Sequence, residues 1–355
     1  MLLKDDARPL SGDQQINSSC RQVRQKASIP TGGTRLGAGL ITESRKLNTH
    51  MATSVPQLDG TFTVDVEDYF HVSAFASVIR PENWDHYVCR VEQSTRTILE
   101  LAAKHSTRGT FFILGWVADR YPQLVREIQS AGHEIGCHSY WHQLIYELGP
   151  QRFRSDLIKA RDCLQWITGS PVKLHRAPSF SITEKSLWAL DILIEEGFQI
   201  DSSIYPVHHD RYGIPGSPTS PHIIATRIGQ IHEFPGMTCK VAGMTIPVGG
   251  GGYLRLFPWA VTSRLLHQIR KQQRPLNVYL HPWEVDVDQP RIAASLKSRF
   301  RHYQNLKTMA PKLSRMLTEF RLGAMTDVLI KPWSGHNDVF VDRTEMSSDM
   351  MVASN

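Results

Sequence analysis

Several short stretches of this chain end in residues that can hold a cation or move a proton. The segment TVDVED carries Asp65, Glu67 and Asp68. In an extended backbone Asp65 and Glu67 point to one side, and Asp68 joins them only where the strand breaks. Carboxylates crowded in this way repel, so keeping two of them ionised needs a cation or a shared proton. Further on, HSYWH carries His138 and His142. A spacing of four places both imidazoles on one face of a helical turn, an arrangement that many zinc sites use. With 16 histidines in 355 residues, about one such pair is expected by chance. The pair draws its weight from its setting, after one expected strand and before a new helix.

Single residues extend the set. Arg176 stands in RAPSF, where Pro178 forces an extended or turned backbone. Asp201 closes FQID, and its DSS sequence suits a helix cap or a turn equally well. His281 lies in NVYLHPWE, again directly before a proline. Each has a plainer explanation. Acids after a strand often form a solvated turn, an arginine is usually on the surface, and a lone histidine at a strand end is more often structural than catalytic. What sets these residues apart is that all of them fall where an expected strand stops.

Those strands alternate with helices. Residues 61–66 are β-branched and apolar, and 109–114 (GTFFIL) read as a buried strand. Ser94 is positioned to cap a helix carrying Ile98, Leu101 and Ala102, and Pro122 starts another that ends at Gly132. Residues 133–137 are extended. Phe153, Leu157, Ala160, Leu164 and Ile167 then recur at helical spacing, so 151–168 form an amphipathic helix closed by Gly169. A strand at 173–176, a helix over 183–196 and a strand at 198–200 follow. Residues 223–248 break into short extended pieces, a β-rich insertion before the glycine run 249–252. A helix near 259–270, a strand at 276–280 and helices to about 321 complete the pattern. Successive βα units imply a parallel sheet with helices outside it. A barrel fits better than a doubly wound sheet, because no glycine-rich phosphate loop follows the first strand. In such barrels the C-terminal strand ends carry the active site.

Taken in order, these segments resemble the motifs of the polysaccharide deacetylases of carbohydrate esterase family four, which include chitin and peptidoglycan deacetylases. TVDVED corresponds to the first motif, GHEIGCHSYWH to the second, RAPSF to the third, the Asp201 region to the fourth and YLHP to the fifth. The resemblance covers roughly residues 60–285, and GTFFILGWVADRYPQLVREIQSAGHEIGCHSYWH is its most specific string. VEDYFHVSAF, RAPSFSI and LHPWEVD look closer still to a branch associated with bacterial exopolysaccharide gene clusters, whose members carry a C-terminal region of unknown function.

That resemblance implies a distorted α/β barrel with fewer than eight βα units, a β-rich insertion and a helical C-terminal extension. It implies a divalent metal, zinc foremost, held by Glu67 or Asp68 with His138 and His142. Asp65 would be the general base and His281 the general acid, with Asp201 favouring the His281 cation and Arg176 orienting the acidic pair. An oxyanion would lie between the metal and a backbone amide near Ser179, and Trp141, Phe180, Tyr205 and Trp283 would wall the sugar. The substrate implied is an N-acetylated amino-sugar polysaccharide or a lipid-linked oligosaccharide of exopolysaccharide biosynthesis. Two departures stand out. The first motif usually has adjacent acids followed by glycine, whereas this chain reads DVED. Ser179 and Phe180 replace the usual aromatic and glycine of the third. A cyclic-amide hydrolase of the same fold and an inactive glycan-binding protein are the competing readings.

Composition excludes other classes. The net charge of +6 is concentrated in residues 1–50, which hold eight Lys/Arg against four Asp/Glu, so the remainder is nearly neutral and offers no nucleic-acid surface. Five scattered cysteines without a CxxC pair argue against a disulfide framework or a thiolate zinc site. No apolar run approaches a membrane span, and no secretory leader is seen, so the expected location is cytoplasmic, with peripheral association to an export system as an option. The expected organisation is an extension over 1–58, with Met51 as an alternative start, then a catalytic barrel over 59–285. A helical extension over 286–333 and a loose tail over 334–355 follow.

Overall fold

The computed structural model describes residues 57–330 and 340–342. The alternative start at Met51 and nearly all of the expected extension and tail lie outside them. The chain opens with β1 (Gly60–Val66), α1 (Val91–Lys104), β2 (Thr110–Ile113), α2 (Gly115–Arg120), α3 (Pro122–Ser130) and β3 (Glu134–Cys137). It continues through α4 (Ile145–Leu148), α5 (Pro150–Thr168), β4 (Leu174–His175), α6 (Trp188–Glu195) and β5 (Ile200–Asp201). The β-rich stretch is β6 (His222–Ala225), β7 (Gln230–Glu233), β8 (Thr238–Val241) and β9 (Met244–Pro247). After it come α7 (Gly251–Leu256), α8 (Trp259–Lys271), β10 (Leu276–Leu280), α9 (Leu296–Tyr303), α10 (Met309–Glu319), β11 (Leu322–Gly323), α11 (Met325–Ile330) and β12 (Phe340–Asp342).

One curled sheet organises these elements, in the order β10-β1-β2-β3-β4-β5-β7-β6-β12, with β11 also pairing β1. Within it all pairings are parallel except β6 with β7, while β8 and β9 form a separate antiparallel pair. β12 falls inside the stretch expected to be a loose tail, yet it pairs with β6. β1 lies between β10 and β2 and is wholly buried. Its alternation separates Phe62, Val64 and Val66, which join the large apolar core, from Thr61, Thr63 and Asp65 on the other face. The polar row continues into Arg176 and Asn277: Arg176 Nη1 donates to Thr63 Oγ1 at 2.8 Å, and Thr61 Oγ1 donates to Asn277 Oδ1 at 3.1 Å. A polar file therefore runs along β1 towards its C-terminal end.

The distorted barrel is closed by a patch rather than by a ladder. Asn277 Nδ2 donates to the carbonyls of Phe234 and Pro235, while Val248 N–H donates to Met237 O and Tyr279 N–H to Gly249 O. This explains the glycine run before α7. A Cβ on Gly250 would come 2.0 Å from the Tyr279 ring, and Gly249 has φ +87°, which a side chain strongly disfavours.

Helix ends account for two differences from expectation. α5 carries its buried stripe and stops at Gly169, which is left-handed, as a C-terminal glycine should be. α1, however, starts at Val91, so Ser94 lies buried inside it and is not its cap. The expected helix over 183–196 is divided into a 3-10 turn at Glu184–Ser186, framed by a Thr183/Ser186 capping box, and α6. Among the described residues, no helix is long and apolar enough to cross a membrane.

Candidate active site and metal centre

β1 stops at Val66, where Glu67 N–H turns back to Asp65 O at 3.0 Å. Asp65 and Glu67 both line one cleft of about 470 Å³. Asp68 is directed elsewhere. Its Oδ1 accepts from Tyr69 N–H, and its Oδ2 accepts from the backbone amides of Arg90 and Val91 and from the Cys89 thiol. It caps α1 from a distant loop, placing negative charge where the helix exposes unpaired amides. Burial pushes the Asp68 carboxyl upward despite those donors. The choice left open by the DVED sequence therefore goes to Glu67, and Asp68 is not a member of the cluster.

Glu67, His138 and His142 are buried together, with one ligand atom from each lying within 4.8 Å of the others. His138 continues the β3 ladder, its N–H donating to Ile113 O. Its Nδ1 faces Arg176 O at 2.7 Å. A carbonyl can only accept, so Nδ1 carries the proton and Nε2 keeps its lone pair. Burial is the largest influence on this imidazole and lowers its pKa to about 4, so it is neutral at neutral pH, as a metal ligand must be. His142 does not share a helical turn with it. Ser139 and His142 are both left-handed, at φ 58° and 52°, and the loop between them is tied down by Asp156 of α5, which accepts from Tyr140 and Trp141 N–H. His142 Nε2 approaches Glu67 Oε2 to 2.7 Å, and among the described residues His142 Nδ1 has no hydrogen-bond partner. One buried carboxylate and two buried imidazoles, each with a ligand atom within 4.8 Å of the others, make a donor set that fits a divalent metal.

The acid–base pair stands beside this cluster. Arg176 is wholly buried; its Nη1 holds Asp65 Oδ1 at 2.7 Å, and its Nε and Nη2 bond Ser202 O and Ser202 Oγ. His281 Nε2 lies 3.9 Å from Asp65 Oδ2 and 3.7 Å from Glu67 Oε1. Its Nδ1 bonds Glu284 Oε1 at 2.7 Å, and Glu284 Oε2 accepts from Arg255 Nε at 2.9 Å. Burial pulls the His281 pKa down, but the hydrogen bond to Glu284 and the charges of Glu67, Glu284 and Asp65 outweigh it and raise it to about 9. Burial likewise opposes ionisation of Glu67, and the neighbouring histidines, His142 first, overcome that and hold its carboxyl below the usual range.

Asp201 does not support His281. It faces His175 Nδ1 at 2.8 Å and Ser203 Oγ at 2.6 Å, beside Glu233 on the neighbouring strand. Glu284 occupies the position expected of it. The signal was present in HPWE: Pro282 begins a turn, and Glu284 returns to the His281 N–H at 3.1 Å, completing a capping box.

Of the expected sugar walls, Phe180 and Trp283 line the cleft, as does Ser179. Trp283 is 6 % exposed, and its indole N–H bonds Glu67 Oε1 at 3.2 Å, so it orients the carboxylate as well as walling the cleft. Tyr205 is buried, with its hydroxyl on Met237 O, and Trp141 packs against Trp84 and Tyr140; neither lines the cleft. Ser179 and Phe180 are consecutive left-handed residues, each at φ 54°, with Ser179 Oγ held 2.8 Å from Ser73 Oγ. Such a backbone costs of order 1–3 kcal/mol per residue and persists only where its surroundings fix it. Tyr212, Tyr253 and Phe300 also line the cleft and had no local signal in the sequence.

The family described as Polysaccharide deacetylase matches residues 83–193, and a Domain of unknown function (DUF3473) matches residues 202–330. The chain is 34% identical over 98 residues to a peptidoglycan-N-acetylglucosamine deacetylase of Bacillus cereus, covering 27% of this chain and 36% of the relative. It is 33% identical over 85 residues to a chitooligosaccharide deacetylase of Azorhizobium caulinodans, covering 24% and 40%. The chain thus spans about two-fifths or less of the length of these relatives. A crystal structure from Mycobacterium smegmatis, named for a polysaccharide deacetylase, superposes with a TM-score of 0.51 at 18% identity, covering 78% of this chain and 91% of that one. This last likeness concerns the fold.

Proposed function

We infer that this chain, which belongs to the polysaccharide deacetylase family, is a hydrolase that removes N-acetyl groups from an amino-sugar polysaccharide. The observation that carries the reading is the convergence, in one cleft, of the Glu67–His138–His142 cluster, the Arg176-bound Asp65 and the Glu284-bound His281. Glu67, His138 and His142 would hold a divalent ion, for which an imidazole-rich donor set favours zinc. Bound there, it would supply Lewis acidity towards water and the acetamide oxygen.

The protein's own groups provide the proton path. Asp65 has one oxygen fixed by Arg176, and its Oδ2 faces His281 Nε2, so this carboxylate is aimed to take a proton from the attacking water. His281, protonated at neutral pH and held through Nδ1, presents Nε2–H to the amide nitrogen as it leaves. With Asp65 Oδ2 and His281 Nε2 3.9 Å apart, a carboxylate base and an imidazolium acid flank the place where a tetrahedral carbon would exchange water for amine. The match of residues 202–330 to a domain of unknown function agrees with the C-terminal region carried by the branch that the sequence resembles.

Acetate release from N-acetylglucosamine oligomers, in the presence of zinc, tests this reading. We expect release by the native chain and its loss in Asp65→Asn and His281→Ala. Turnover of small cyclic amides alone would reassign the bond cleaved, and oligomer binding without acetate release would leave a binding protein.

A further inference from the structure

Residues within 202–330 contribute cations to the lining of the cleft. Arg211, in the loop after β5, and Lys297 and Arg301, on α9, line the same cleft as Asp65 and His281. All three are exposed. Among the described residues none of them has a carboxylate within ion-pair distance. The carboxylates that line the cleft are committed, Asp65 to Arg176 and Glu67 to the histidine cluster. Asp210, next to Arg211 in the chain, pairs with His209 at 2.9 Å, so the acids nearest these cations are engaged elsewhere. Three unpaired cations in a concave site raise the local positive potential, and a divalent ion at Glu67 would strengthen it.

Position adds to charge. Phe300 and Arg301 lie three and four positions after Lys297 along α9, so each neighbours Lys297 on the helix surface. Phe300 is 64% exposed there, an apolar platform of the kind on which sugar rings stack. The helix is also in fixed register with the reacting groups: the adjacent His302 is buried and stacks on Trp283 at 4.1 Å, and Trp283 stacks on His281 at 5.1 Å. Arg255, which holds Glu284, also bonds the carbonyls of Arg301 and His302. A group bound by Arg301 is therefore held at a set place relative to His281.

We propose that Arg211, Lys297 and Arg301 form an anion-binding subsite, so that the preferred substrate is an acidic glycan carrying a carboxylate or phosphate next to its N-acetylated sugar. This inference rests on the deacetylase reading for the substrate's acetamide, but the subsite can be tested by binding alone.

Affinity of the zinc-loaded full chain is measured by calorimetry for three probes: a neutral N-acetylglucosamine oligomer, the same oligomer bearing one uronic acid, and the same oligomer bearing one phosphate. Acetate release is followed on each. We expect at least one acidic probe to bind about tenfold more tightly than the neutral one at low salt, with the advantage shrinking as salt is raised. The better acidic arm identifies the anion. In Lys297→Ala/Arg301→Ala, and separately in Arg211→Ala, the acidic-to-neutral affinity ratio should fall towards one while the thermal unfolding midpoint stays within a few degrees of native. Equal affinity for all three probes, or a preference that survives in both variants, overturns the subsite. Acidic preference without acetate release from any probe upholds the subsite and overturns the hydrolase reading. Acetate release without acidic preference does the reverse.

Discussion

Glu284 Oε1 sits 2.7 Å from His281 Nδ1, and the two residues are separated by a single turn begun by Pro282. The other oxygen of Glu284 is occupied by Arg255, so the carboxylate stays ionised and faces the imidazole as a fixed negative charge. Burial alone would depress a histidine here; the hydrogen bond to Glu284, with the charges of Glu67, Glu284 and Asp65, reverses the sign.

Glu284→Gln keeps the hydrogen-bond acceptor and removes the charge, so the His281 pKa falls. Protonated His281 is the active form, and the rate declines as pH rises through its pKa. The alkaline limb of kcat/KM should therefore move to lower pH by about one unit or more. A cation on Glu67 cancels part of the upward push, so the native limb of the loaded enzyme lies below about 9. The displacement between native and variant is the readout. Coincident limbs in the two proteins would remove Glu284 from this role.

Asp68→Ala separates the two acids of DVED. Asp68 receives two backbone amides at the start of α1 and a third from Tyr69, so its loss should cost on the order of 1–3 kcal/mol in denaturant unfolding. Metal stoichiometry should remain at one per chain. Glu67→Ala should show the opposite pattern, with metal lost and the helix intact. Loss of metal from a folded Asp68→Ala chain would return Asp68 to the ligand set.

Much of this arrangement was legible because it is written locally. The alternation of Phe62, Val64 and Val66 against Thr63 and Asp65 marks β1 and its polar face, and the apolar stripe of α5 with Gly169 marks a whole helix and its end. The roles of individual acids were less legible, since distant partners decide them. Asp68 was claimed by α1 amides 22 and 23 positions away, and Asp201 by His175, 26 positions back. The His138–His142 geometry was not legible at all. Its left-handed Ser139 and His142 are held by Asp156, and nothing in HSYWH announces a turn that only tertiary contact enforces.

Asp65→Asn should leave the barrel folded, because the Asn side-chain oxygen can still accept from Arg176 Nη1. It removes the basic oxygen, so kcat should fall by about 10²–10⁴-fold with zinc content unchanged. Arg176→Ala should instead destabilise the chain by roughly 3–5 kcal/mol, since it leaves Asp65 buried without its partner. If Asp65→Asn retained native turnover, the base would have to be sought elsewhere in the cleft.

The displaced Asp201 leads to a separate expectation about stability. Asp201 and Glu233 are cross-strand neighbours on β5 and β7, both fully buried, and among the described residues no other group donates to Asp201 Oδ2 or Glu233 Oε2. Burial, then the Asp201 charge, raises the Glu233 pKa well above its ordinary value, so Glu233 keeps its proton in the folded chain. The unfolded chain releases that proton above about pH 4.5. Above that pH the folded state binds more protons than the unfolded one, so this pair's contribution to stability is complete below about pH 4.5 and declines as pH rises towards the raised value. Glu233→Gln supplies a permanently neutral side chain at the same place. Its unfolding midpoint, relative to native, should therefore improve progressively from mildly acidic to alkaline pH. Parallel profiles for the two proteins would show that Glu233 is ionised in the native fold.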